Sequence, residues 1–267
     1  MFSEQLLANI STDFKFYRRN RVLMGAGLLY AVITALSLIP SFVFGSSTQE
    51  FTILKTLHDS LSTAVTVIVA LMGILFMSSH FRSRSVKMVL TKPCSPETWL
   101  SGALLSTIGV LFMLQVAVIV ITSALFAFWG IPFQGGLVYV TLDNFLADAV
   151  ILSFIIFLST AMPPVLAGIV AIIANEGAIY TLREIVSAGQ HSTGSSGLAI
   201  LDGVLYVVYM VLPSYGLLNG HQRQVFETWH VEASDWLSLL PGIGYAAAVI
   251  VLFYLLTIVV LRRKSLG

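Results

Sequence analysis

The charged residues carry the first question here, because they are few and two of them stand where charge is expensive. Asp148 lies near the start of an apolar stretch that begins about Phe145, and Glu176 follows Asn175 in the next apolar stretch. An ionisable side chain within a membrane span costs a few kcal/mol and by default marks function. Either carboxylate could therefore face a translocation path or hold a substrate cation. The alternative places both near the outer interface, where water reaches them. His80, at the end of another apolar stretch, reads as an interface residue rather than a proton carrier.

Enzymatic chemistry finds little support. Gly194-Ser195-Ser196-Gly197 matches the G-x-S-G of intramembrane serine hydrolases, which need a histidine within hydrogen-bond reach in a sheltered site. The neighbouring His191, and His221 and His230, lie in polar stretches, so no base is supplied. No H-E-x-x-H zinc helix occurs. Cys94 is the single cysteine, so it makes no internal disulfide and, with no second thiol nearby, no metal site. A phosphate-cradling G-x-x-x-x-G-K-[ST] loop is also missing: Lys55-Thr56 and Lys264-Ser265 lack the preceding glycines. The expectation is no catalytic residues, no metal and no cofactor in this chain.

The elements that must position these residues follow from composition. The chain is 57% hydrophobic and only 10% charged, with a mean hydropathy of +0.91, whereas soluble domains carry about a quarter charged residues. No soluble fold hides so much apolar surface. A spanning helix needs about 20 apolar residues, so 267 residues accommodate about six spans in one membrane domain, an all-α integral membrane fold. The net charge of +1 offers no basic surface for nucleic acid.

Residues 1–21 mix apolar side chains with Lys15, Arg18, Arg19 and Arg21, as in an amphipathic helix lying in the interface rather than a cleaved signal. Spans follow at Val22–Phe44, Leu61–Ser79 and Leu100–Trp129. Polar connections over Gly45–Asp59 and Gly130–Leu142 separate them. Phe145–Ala174 is broken by Pro163 and Pro164, which remove two backbone donors. The reading is a hairpin, with span four ending near Met162 and span five running from Val165 to about Tyr180. The alternative is one kinked helix with a fifth span at Leu198–Leu218. Residues 181–238 form an external or re-entrant segment, and Leu239–Leu261 closes the set.

Of 14 lysines and arginines, four precede span one, four lie between spans two and three, and three follow span six. Basic residues in short loops stay on the cytoplasmic side. Six crossings bring all three groups to one face, so both termini are expected in the cytoplasm of a multi-pass cell-membrane protein.

The segment from Phe81 to Leu105, FRSRSVKMVLTKPCSPETWLSGALL, is basic and lies on that face, and Ser95 or Pro96 can start a helix with Glu97 in its first turn. It resembles the coupling region of type-2 ATP-binding-cassette (ABC) exporter permeases, where a basic turn leads through an L-x-K-P-x-S element into the third span. That element stands here as Leu90, Thr91, Lys92, Pro93, Cys94 and Ser95, followed by Trp99 and Gly102. The sequence Leu205-Tyr206 to Leu212-Pro213 and the terminus VVLRRKSLG are similar to the same family, especially its multicopper-enzyme-maturation members. Two positions depart from the family pattern: Ser83–Ser85 replace an acidic residue and glycine, and Ala103 replaces a lysine.

The resemblance implies a homodimer, or a heterodimer with a similar permease, standing on cytoplasmic ABC ATPase subunits that bind ATP and Mg. Residues 82–100 would be the coupling segment, with Arg82, Arg84, Lys87, Lys92, Pro93 and Trp99 in the contact. Rival readings are a membrane scaffold or sensor, and an intramembrane serine hydrolase. A secondary transporter fits less well, because such proteins typically show two similar halves.

Overall fold

The computed structural model describes residues 2–19, 21–44, 47–82, 96–173, 176–193, 196–213 and 231–265. Every regular element among them is an α-helix: α1 (Phe2–Arg19), α2 (Val22–Phe44), α3 (Ser47–Arg82), α4 (Pro96–Phe128), α5 (Gly135–Ala161), α6 (Pro164–Ile173), α7 (Glu176–Thr193), α8 (Ser196–Val211) and α9 (Ala233–Ser265). Among the described residues four stretches are long and apolar enough to cross a membrane: Thr52–Ser78, Glu97–Phe128, Gly135–Ala161 and Ala233–Arg263. Shorter apolar stretches occupy Leu23–Leu36 of α2 and Gly197–Val207 of α8.

α3, α4 and α5 pack on one another, α9 lies against α5 and α4, α2 against α3, and α6 against α5 and α3. The main core runs through the meeting of α3, α4 and α5, where Leu61, Val65 and Met72 of α3 meet Leu111 and Val118 of α4 and Leu152 of α5. The outward faces carry large apolar side chains such as Leu71, Val120 and Val251. That inversion suits a lipid solvent, where apolar surface is exposed without penalty.

Two expected boundaries move. The connection assigned to Gly45–Asp59 is helical from Ser47 onward, so α3 is 36 residues long. Leu54, Leu57, His58 and Leu61 recur at helical spacing and are all fully buried. The polar residues between them lowered local hydropathy without breaking the 3.6-residue period. Similarly α5 begins at Gly135 and not near Phe145. The turn before it is short, with Gly130 at φ 68°, a left-handed value that glycine adopts freely.

At Pro163-Pro164 the chain reverses. Met162 is extended and its N–H still donates to the Leu158 carbonyl at 2.9 Å, closing α5 before α6 starts at Pro164. Ala171 then shares a buried cluster with Phe154 and Ile155, residues that a continuous helix would leave about 25 Å away at 1.5 Å per residue, and with Ala70 of α3. The hairpin reading of this break therefore holds and the kinked-helix reading does not. α6 has only 10 residues and lies tight against α3, since a Cβ on Gly168 would sit 2.2 Å from Cδ1 of Ile74. Of span five as expected over Val165–Tyr180, the residues to Ile173 belong to α6 and those from Glu176 to α7, with residues 174–175 outside the described residues.

α7 and α8 form a second helical hairpin. Nε of Arg183 donates to Oδ1 of Asp202 at 3.1 Å, and its guanidinium lies 4.8 Å from the centre of the Tyr206 ring.

Candidate functional site

The bundle has two chemically different ends. At one end Phe76, late in α3, stacks on Tyr17 of α1 and on Trp99 of α4, with ring centres 6.3 Å apart in each pair. Arg262 of α9 donates to Oε1 of Glu97 through Nε at 2.8 Å and also through Nη2, and Tyr254 meets Ser101 at 2.7 Å. These contacts gather the basic end of α1, the end of α3, the start of α4 and the basic end of α9. The end of α3 at Arg82 and the start of α4 at Pro96 meet there, and residues 83–95 lie outside the described residues. Arg84, Lys87, Lys92 and Pro93 lie outside the described residues, as does the side chain of Arg82. Trp99, expected in the ATPase contact, is buried against Phe76 and anchors the start of α4 from within.

α1 runs alongside the first half of α4. Asn9 approaches Gly102 so closely that a Cβ there would stand 2.8 Å from that of Asn9. One turn on, Ser106 donates to Oδ2 of Asp13 at 3.2 Å. Beyond it Tyr17 meets Thr107 at 2.7 Å. Thr107 already gives its hydroxyl proton to the Ala103 carbonyl, so Tyr17 is the donor. Burial pushes the Asp13 carboxyl up to about 6, against the lowering effect of the Ser106 hydrogen bond. Burial likewise pushes the Tyr17 phenol up. No sequence motif announced this docking; the signal is the apolar series Phe14, Phe16 and Tyr17 with Asp13 among them.

The opposite end joins the start of α5 to the starts of α3 and α9. Tyr139 bonds Ser238 at 2.9 Å and packs edge-on against Trp236. Nε2 of His58 lies 3.0 Å from Oγ1 of Thr141. Since Thr141 donates to the Leu137 carbonyl at 2.7 Å, His58 donates from Nε2.

Between these ends lies the polar cluster. Asp148 is 2% exposed and stands at the middle of α5, which spans Gly135 to Ala161. Its Oδ1 accepts from Thr66 of α3 at 2.7 Å and its Oδ2 from the amide of Gln115 of α4 at 2.9 Å. Thr66 and Gln115 also sit near the middles of their apolar stretches, Thr52–Ser78 and Glu97–Phe128. Oε1 of Gln115 is buried without a hydrogen-bond partner among the described residues. The earlier start of α5 carries Asp148 to the middle of that helix, away from either end. Glu176 opens α7, and its side chain lies outside the described residues.

Sequence reasoning passed over Thr66 and Gln115, because a threonine or a single amide in an apolar run carries no signal until a carboxylate faces it. Gln115 had one available clue: it is the only Gln, Asn or charged residue between Glu97 and Gln134. Gly194 and Ser195 lie outside the described residues, as does the side chain of Ser196. Among the described residues no group of His, Cys, Asp and Glu is placed to hold a metal.

Searches against protein-family models, curated proteins and solved structures found no match to this chain. Fold and site define a class: an all-helical, membrane-embedded protein with a hydrogen-bonded carboxylate at the centre of its bundle. Within that class the particular activity has to be argued from the two ends of the bundle.

Proposed function

We propose that the chain is the permease subunit of an ATP-driven exporter of the type-2 ABC class. It forms the translocation path with a second copy or a similar chain, and leaves ATP hydrolysis to soluble subunits. The observation that carries this reading is the convergence at one end of the basic end of α1, the end of α3, the start of α4 and the basic end of α9. Lysine and arginine gathered so are retained on the cytoplasmic side, where an ATPase would dock.

The junction itself is well placed for coupling. It links α3 to α4, the two helices that supply Thr66 and Gln115 to the central cluster. The buried stack of Tyr17, Phe76 and Trp99 ties the starts and ends of these helices together, so displacement of the junction by a partner would be passed to packed helices rather than dissipated in a loose loop. Arg82, Arg84, Lys87 and Lys92 would make the docking contact, while Trp99 acts from inside the fold by fixing the start of α4.

The test is purification of the tagged chain from its native host in mild detergent, with identification of co-eluting proteins and assay of ATPase activity. A stoichiometric nucleotide-binding subunit, lost on charge reversal at Arg82, Arg84 and Lys87, is the expected result. Elution without such a partner would overturn the reading in favour of a scaffold or sensor.

A further inference from the structure

The central carboxylate poses a charge problem that the bundle does not solve with a base. Asp148 is held by two neutral donors, Thr66 and Gln115. The groups that face it from neighbouring elements are Tyr30 of α2 and, two turns along α3, His58; Tyr30 carries its hydroxyl toward the Leu114 carbonyl at 3.4 Å. α6 has no ionisable side chain, and α4 has none after Glu97. Along α9 only Tyr245 and Tyr254 separate Asp235 from Arg262, and on α5 itself Asp143 lies on a different face. A carboxylate at mid-membrane costs a few kcal/mol, and an oxygen cage of the six or more ligands that a hard metal cation collects is not assembled around it. A proton needs no such cage.

Gln115 is suited to both protonation states. With Asp148 ionised, the amide nitrogen donates to Oδ2, as observed, and Oε1 has no partner among the described residues. With Asp148 protonated, a half-turn of the amide presents Oε1 to accept the acid O–H, because a primary amide offers donor and acceptor at nearly the same position. Uptake forms one O–H bond on the carboxylate, takes the proton from hydronium and releases water.

Access is one-sided. Toward the end opposite the basic segments, the three facing surfaces continue as polar residues. Ser62 and His58 precede Thr66 by one and two turns on α3, Thr141 precedes Asp148 by two turns on α5, and Thr122 follows Gln115 by two turns on α4. All four are buried, and Oγ of Ser62 and Oγ1 of Thr122 have no hydrogen-bond partner among the described residues. Buried hydroxyls of this kind are ordinarily satisfied by water. Toward the basic end the facing residues next to the cluster are apolar, namely Val69, Met72 and Phe76 of α3, Leu111 of α4, and Leu152 and Ile155 of α5, all buried, and the buried hydroxyls beyond them, Thr107 and Ser159, give their protons to the Ala103 and Ile155 carbonyls.

We infer that Asp148, Thr66 and Gln115 form a proton-binding site at the centre of the bundle, and that the seam of Ser62, His58, Thr141 and Thr122 connects it to one side of the membrane only. The inference rests on α3, α4 and α5 spanning the bilayer and not on an ATPase partner.

The full chain, reconstituted in lipid nanodiscs, is titrated under pH-difference infrared spectroscopy, which detects the carbonyl stretch of a protonated carboxyl group. A titrating band that loses one carboxyl component in Asp148→Asn is expected, with the component from Asp13 remaining and disappearing only in Asp13→Asn. Titrating bands identical in the wild type and Asp148→Asn overturn the site. Should that variant not fold, Thr66→Val decides. Losing a hydrogen bond to the ionised form must raise proton affinity on the order of tenfold, and an unmoved band refutes the assignment. Sidedness is read in vesicles with a Cys94→Ser background and an impermeant thiol reagent. Ser62→Cys and Thr122→Cys should react from the side opposite the basic segments, and Val69→Cys from neither. Labelling of the seam from both sides or from neither, or of Val69→Cys equally, overturns the one-sided path.

Discussion

Replacing Asp13 by asparagine should stabilise this protein at neutral pH and do little in acid. Asp13 is buried in the seam between α1 and α4, and burial raises its carboxyl from 3.8 to about 6. A group whose value is raised on folding favours the protonated, folded form. Its contribution is fully present below 3.8 and lost as pH rises through about 6, above which the penalty is constant. A shift of about two units corresponds to on the order of 3 kcal/mol, an upper value because α1 can loosen and admit water. Asparagine has the same shape, still accepts from Ser106, and carries no charge. At pH near 7.5 Asp13→Asn should therefore melt higher, by roughly 5–10 °C at 2–4 °C per kcal/mol for a chain of this size. Near pH 4 only about 0.5 kcal/mol of the penalty has developed, so the two proteins should differ by about 1–2 °C. Intrinsic fluorescence during heating in detergent is a suitable assay, because Trp99 stacks on Phe76, which stacks on Tyr17, one turn from Asp13. Equal melting at both pH values, or a variant less stable than the wild type at neutral pH, would refute the burial argument.

Three further substitutions probe the packing. Gly168→Ala should cost about 1–3 kcal/mol, because the new Cβ would fall 2.2 Å from Cδ1 of Ile74; Ile74→Val in the same chain should restore part of it, a non-additivity that a double-mutant cycle reads directly. Gly102→Val should separate α1 from α4, since even a Cβ there stands 2.8 Å from Cβ of Asn9, and the Trp99 emission should shift to the red while helix content by circular dichroism stays nearly constant. Arg183→Gln removes the ion pair with Asp202 and the stacking on Tyr206. With both partners partly exposed the loss should be about 1 kcal/mol, seen as faster hydrogen exchange confined to α7 and α8.

Much of the architecture was legible in composition and in one-dimensional pattern. The helix over 22–44 coincides with an uncharged stretch, and those over 96–128 and 233–265 contain the expected spans and extend past them to Glu97, Asp235 and Arg262, because hydropathy is a sum over residues and needs no partner to be evaluated. The break at Pro163-Pro164 was equally visible, since the missing donors belong to the prolines themselves. The expected starts of α3 and α5 failed for one shared reason. Residues 47–60 and 135–144 hold polar side chains that averaging treats as loop, yet Leu54, Leu57 and Leu61, and Leu137 and Val140, keep the helical period and are buried. Their polar neighbours His58 and Thr141 satisfy each other across the interface, and that compensation exists only once both helices are in place.

Asp148 shows where each kind of information stops. That a carboxylate in an apolar run deserves scrutiny follows from the cost of desolvating a charge, a property of the residue and its immediate neighbours along the chain. That it stands at mid-bundle, bound by Thr66 and Gln115, depends on the rotation and register of three helices separated by tens of residues. Those are set by how buried faces interlock, as at Leu61, Leu111 and Leu152, and no local pattern encodes them. The lipid-facing character of the chain was thus written in its residues one by one, while the polar seam came into being only when three otherwise apolar helices turned their few oxygens and nitrogens toward one another.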